Sequence, residues 1–116
     1  MRKIYHLGNC NTCQQIIKEL NNGEGFILQN IKEEKITPSQ LAQMAEKAGS
    51  YETLFSRRAR KYKSLELKDK TLTEEDYKNL ILEEYTFLKR PVIFIEDNIF
   101  VGNAKKTVAA AKEMLQ

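Results

Sequence analysis

The sequence predicts an α/β domain in which a β-α-β unit and a β-β-α unit are separated by a helical insertion over about residues 36–89. Three observations carry this. Short apolar runs at 3–7, 26–31, 92–95 and 99–102 have strand length and are bounded by turn residues. Apolar residues recur at helical spacing after the first and the last of these runs. Between the second and third runs the caps and periodicities are helical throughout.

Taken in order, residues 3–7 form the first strand. A helix over Gln14 to Asn21 follows, with Cys13, Ile16, Ile17 and Leu20 on one face, the i, i+3, i+4, i+7 pattern of a core-facing helix. Asn21-Asn22-Gly23-Glu24-Gly25 stops it, and Phe26 to Ile31 reads as a second strand, parallel to the first through a right-handed crossover. Thr37 before Pro38 opens the insertion as an N-cap with proline at the first helical position; Leu41, Met44, Ala45 and Ala48 supply the apolar face and Gly49 ends it. A short helix is expected over Tyr51 to Ser56, then a basic segment, Arg57 to Lys63. Thr73 caps a further helix whose first turn holds Glu74, Glu75 and Asp76, with Tyr77, Leu80, Ile81 and Leu88 as core candidates, the last at or beyond the helix end. Val92 to Ile95 and Ile99 to Gly102 make a hairpin around Glu96-Asp97-Asn98. Asn103 is the expected cap of the last helix, whose Val108, Ala111 and Leu115 share a face; Lys105 and Lys106 sit in its first turn, where the helix dipole disfavours cations.

With 116 residues the chain is long enough for one domain with a real core, and 41% hydrophobic with 30% charged residues is an ordinary globular balance. No apolar run approaches a membrane span, and Met1 to His6 contains no secretory stretch, so the expected location is the cytoplasm. The net charge of +3 is too mild to signal nucleic acid by itself. The 57–63 segment, with Tyr62 available for stacking, is the one candidate patch, against the ordinary reading of a solvated helix face.

The chemistry concentrates at Cys10-Asn11-Thr12-Cys13, the only cysteines, at a strand-to-helix junction. Such a junction presents unsatisfied N–H groups and the positive end of the helix dipole, which favour a thiolate. Cys13, one turn on, is close enough to resolve an adduct on Cys10. In a reducing compartment a C-x-x-C is a redox site more often than a structural bridge. Two other readings compete. A closed zinc site needs four ligands, and beyond the cysteines only His6, within the first strand, is of the right kind. Alternatively the cysteines are small buried hydrophobes.

Without the insertion, β-α-β followed by β-β-α with the C-x-x-C after the first strand is the minimal thioredoxin-like core. The chain also resembles the arsenate reductase-like (ArsC/Spx) family of the thioredoxin superfamily. The resemblance rests on Ile4-Tyr5-His6 running into Cys10-Asn11-Thr12-Cys13, on Leu54-Phe55-Ser56-Arg57-Arg58, on Leu88-Lys89-Arg90-Pro91-Val92-Ile93, and on Val101-Gly102 before the last helix. It implies that Cys10 is the nucleophile, that Pro91 is a cis proline lying against it, and that Arg90 holds an oxyanion. Arg58 matches an arginine carried by several non-arsenate members. Asn11 and Thr12 join Arg90 and Arg58 as anion-binding candidates, and His6 joins Pro91 as a structural neighbour of the site.

Where glutaredoxin-linked arsenate reductases carry a third arginine, this chain reads Phe100-Val101-Gly102-Asn103; its second cysteine is a trait of the family's transcriptional regulators. Two functions follow from the resemblance. One is a thiol-disulfide oxidoreductase, monomeric, with a small oxyanion or thiol substrate, no bound cofactor, and glutathione, glutaredoxin or thioredoxin as reductant. The other is a redox-sensing regulator that docks on RNA polymerase.

Overall fold

The computed structural model describes residues 1–116, which divide into two compact units: Met1–Lys35 with Arg90–Gln116, and Ile36–Lys89.

The first unit is a four-stranded sheet of order β2-β1-β3-β4, formed by β1 (Arg2–His6), β2 (Ile27–Asn30), β3 (Val92–Ile95) and β4 (Asn98–Val101). The chain enters β1, crosses through helix α1 (Asn11–Glu19) and returns parallel as β2; β3 is antiparallel to β1 and to β4. Ile4 stands opposite Leu28 on one side and Ile93 on the other, so the alternation of the pleat sends Ile4, Ile93 and Ile95 to one face. There they pack with Ile16, Ile17 and Leu20 of α1 and with Val108 and Ala111 of the last helix. Each such fully buried aliphatic side chain contributes roughly 1.5–3 kcal/mol. The opposite face carries Tyr5 and Phe94, edge to face with ring centroids 6.2 Å apart.

The second unit holds α2 (Pro38–Ala48), α3 (Tyr51–Leu54), α4 (Arg60–Ser64) and α5 (Glu74–Glu83). Thr37 and Gln40 form a capping box on α2, and Thr73 and Asp76 form another on α5. The Glu74 carboxylate accepts the Tyr51 and Glu52 N–H groups at 2.7 and 3.2 Å, which ties the start of α5 to the start of α3. Phe55 is the centre of this unit, stacked on Phe87 (5.0 Å) and tilted against Tyr77 (4.9 Å).

Several boundaries differ from those expected, each for a local reason. The first helix begins at Asn11, not Gln14, because Cys10 itself takes the extended cap conformation; it ends at Glu19, after which Asn21–Gly23 tighten into a 3-10 turn. The short helix stops at Leu54 because Phe55 turns extended to bridge Leu88. Within the basic segment only residues from Arg60 onward are helical. Leu80 is half-buried, whereas Leu88 is buried as expected, beyond the end of α5 and after a 3-10 turn over Tyr85–Phe87. Asn103 is not the cap of the last helix, α6 (Lys105–Glu113): that position falls to Ala104, one residue later, and no side chain caps the helix.

Candidate active site

Leu7, Thr12, Cys13 and Arg90, which act on Cys10, all belong to the first unit. After β1 the chain makes a turn in which the Cys10 N–H donates to the Leu7 carbonyl at 3.1 Å. Asn30, at the end of β2, pins this turn from the side: its Oδ1 accepts the N–H groups of Gly8 (3.1 Å) and Lys32 (3.2 Å). Gln14 closes it from above, its Nε2 donating to the Gly8 carbonyl at 3.0 Å. The fit explains the glycine, since a Cβ on Gly8 would collide with the Asn30 side-chain amide.

Held this way, Cys10 is the N-cap of α1, with φ −100° and ψ 114°, and its Sγ accepts the Cys13 N–H at 3.5 Å. Cys10 is partly exposed and Cys13 is buried, 1% exposed; both are free thiols. Partial burial works against ionisation of Cys10. The Cys13 N–H and thiol, the Thr12 N–H and the charge of Arg90 outweigh it and hold the Cys10 thiol below its ordinary value. Cys13 behaves oppositely. Burial, together with its hydrogen bond to the Cys10 sulfur and the charge there, pushes its thiol up to about 11, with the Leu7 backbone and Arg90 opposing. One turn of helix therefore carries a thiol that ionises more readily than usual and a second that holds its proton more tightly.

Of the residues singled out in the sequence, Cys10, Cys13, Thr12 and Arg90 act on one another. Thr12 acts through its backbone, and Asn11 is exposed. Pro91 is buried, the Arg90–Pro91 peptide is cis, and the Pro91 carbonyl accepts the Gly102 N–H at 2.9 Å. His6 is buried; desolvation lowers its pKa, against an opposing Leu7 backbone hydrogen bond, and its Nδ1 has no hydrogen-bond partner. Arg58 is an exposed side chain of the 36–89 unit. Its neighbour Arg57 makes the contacts there, to Glu52 (3.0 Å) and Tyr77 Oη (3.1 Å). No group of three or more His, Cys, Asp or Glu side chains is arranged to hold a metal. Gly8, Gln14 and Asn30 escaped the sequence reading. A glycine leaving a strand just before the cysteine was the signal for the first; nothing local marks Asn30, which is brought in by strand pairing.

A parallel β-α-β joined to an antiparallel hairpin and a final helix, with a cysteine at the first helix start, is the thioredoxin-like arrangement. The match to relatives narrows this: residues 5–111 match the ArsC family, and the chain belongs to it. Three solved structures share the fold. The YffB (PA3664) protein superposes with TM-score 0.80 at 22% identity, covering 96% of this chain and 98% of its own. An arsenate reductase from Vibrio cholerae gives 0.77 at 19%, covering 95% and 96%. A Bacteroides fragilis protein described as ArsC family related gives 0.79 at 26%, covering 95% and 97%. No curated protein sequence matches the chain. No helix is long and apolar enough to cross a membrane.

Proposed function

We propose that the protein is a thiol-dependent reductase of the ArsC family in which Cys10 is the nucleophile and Cys13 the resolving thiol. The observation that carries this is the placement of the Cys10 sulfur at the α1 cap, partly exposed and accepting the Cys13 N–H, with the second thiol buried beside it. On a disulfide, the Cys10 thiolate attacks one sulfur and expels the other as a thiolate, leaving a mixed disulfide on Cys10. Cys13 then attacks the Cys10 sulfur, loses its proton as it does so, and releases the second substrate thiolate. The substrate gains two electrons and the Cys10–Cys13 pair loses two. On an oxyanion such as arsenate, Cys10 displaces a hydroxide to form a thioester of the oxidised element; the second thiol attacks sulfur and the element departs two electrons reduced. Glutathione, glutaredoxin or thioredoxin restores the dithiol, and the cytoplasm is the compartment that supplies them.

Arg90 serves as the anion-binding residue, its planar fork suited to a carboxylate or oxyanion beside the sulfur. The test is turnover of a glutathione mixed disulfide, and of arsenate, by wild type, Cys10→Ser and Cys13→Ser. Cys10→Ser is expected to abolish turnover and Cys13→Ser to trap the mixed disulfide on Cys10. A wild-type protein inert toward both substrates under reducing conditions would refute the proposal.

A further inference from the structure

A cleft of about 690 Å³ runs between α1 and α6 and begins at Asn11 and Thr12, the two residues that follow Cys10. Its apolar lining comes from the buried Ile16 and Val108 and the exposed Ala109, and its polar lining includes Gln15 from α1 and Asn103 just before α6. The two helices start at the same end of the cleft, and Glu19 pairs with Lys112 at the other end (3.6 Å), so they run parallel. From Thr12 to Glu19 a helix advances roughly 10 Å, which is the reach of about three residues of extended chain. The charge along it is uneven. At the far end Lys112 is matched by Glu19, whereas at the Cys10 end Lys105 is exposed, has no carboxylate partner and stands at a helix start that no side chain caps.

We infer that this cleft is the docking groove for an extended segment of a protein substrate whose disulfide-bonded cysteine is flanked by acidic residues. Resting on the Cys10 reading above, it names the partner of the same thiol. A small apolar side chain fits the apolar lining, the carboxamides of Gln15 and Asn103 are the complement of a peptide backbone, and a carboxylate beside the reacting cysteine meets Lys105 and the free N–H groups of the α6 start. A cationic segment meets the same groups with repulsion.

The experiment uses two pentapeptides, Asp-Asp-Cys-Asp-Asp and Lys-Lys-Cys-Lys-Lys, each with its cysteine as a mixed disulfide with 2-thiopyridine. The Cys10 thiolate attacks the peptide sulfur, the bond to the pyridyl sulfur breaks, and pyridine-2-thione leaves with the electron pair and is read by absorbance. The full-length protein is expected to favour the acidic peptide by about tenfold, a modest electrostatic steering effect. Lys105→Glu collapses the ratio toward one, while Lys18→Glu, the same charge change on α1 outside the cleft, keeps it. Ala109→Tyr fills the cleft and lowers the rate with the acidic peptide relative to that with dipyridyl disulfide in the same protein. Equal rates for the two peptides in wild type, or a ratio untouched by Lys105→Glu, overturn the inference. If wild type leaves even dipyridyl disulfide intact, the Cys10 reading falls instead. The cleft is then judged by fluorescence anisotropy of the same peptides, dye-labelled and with serine for cysteine: acidic-selective binding lost in Lys105→Glu upholds it, and no selective binding overturns it.

Discussion

The sharpest consequence of the site is that two thiols one turn apart should react at very different rates with a small alkylating agent. Only the thiolate attacks, so rates follow the ionised fractions. An ordinary thiol titrating at 9.0 is about 1% ionised at pH 7, and Cys10 lies below that value, hence above that fraction. Cys13, held up at about 11, is ionised to about one part in ten thousand at the same pH. Cys10 should therefore be labelled by iodoacetamide at least about 100-fold faster, before the near-complete burial of Cys13 is counted. The assay is a time course of labelling with peptide mapping by mass spectrometry, repeated from acid to alkaline pH. Labelling of Cys10 should climb through a midpoint below 9.0, the ordinary thiol value, and then level off. A ratio under tenfold, or a Cys10 midpoint at or above that of a free thiol, would refute the assignment of thiolate and thiol.

Thr12→Pro removes one N–H that stabilises the Cys10 thiolate, at a first-turn position where proline is tolerated; the Cys10 labelling midpoint should move up with little change in thermal stability. Asn30→Ala frees the Gly8 and Lys32 N–H groups and should cost roughly 1–3 kcal/mol in urea unfolding, while slowing Cys10 labelling by loosening its turn. Leu20→Ala, at a fully buried position, should cost about 2–5 kcal/mol. Because the native pKa of Cys13 is raised, the stability it contributes is complete below the unfolded thiol value of about 8.5 and is lost as pH rises toward about 11. Melting temperatures across that range should fall less for Cys13→Ala than for wild type.

The parts legible in the sequence were those set by local rules. Thr37-Pro38 and Thr73 cap helices because their hydroxyls reach an N–H three residues on, a relation contained within one turn. The alternation in Val92 to Ile95 was hidden by burial on both faces, yet length and turn residues still marked a strand. What local rules could not supply came from long-range pairing. Asn30 reaches Gly8 only because β2 lies beside β1, and Phe55 leaves its helix to meet Leu88, far along the chain. The cap of α6 was misplaced because a polar residue one position early looks the same in sequence as one in register. At the site, the thiol pair was evident from spacing, but the cleft was not: Gln15 and Lys105 become neighbours only when two parallel helices share one sheet face.

The source of Cys10 activation also bears on which substrate it serves. Asn11 and Thr12 carry no charge, and the groups that favour the thiolate are the Cys13 and Thr12 N–H groups, the Cys13 thiol and Arg90. The unit that holds Cys10 contains only one other arginine, Arg2, which is paired with Glu96 at the opposite end of β1 from the thiol. An oxyanion attacked by a thiolate needs cations enough to offset both charges. A disulfide brings no charge to the point of attack, and its leaving thiolate needs little more than one guanidinium and a helix start. With Arg90 as its one guanidinium at the thiol and Lys105 at the neighbouring helix start, we propose sulfur–sulfur exchange over oxyanion reduction as the reaction of this site. That difference is measurable as a higher kcat/KM for a mixed disulfide than for arsenate, with the Arg90→Gln variant losing more of the arsenate reaction than of the disulfide reaction.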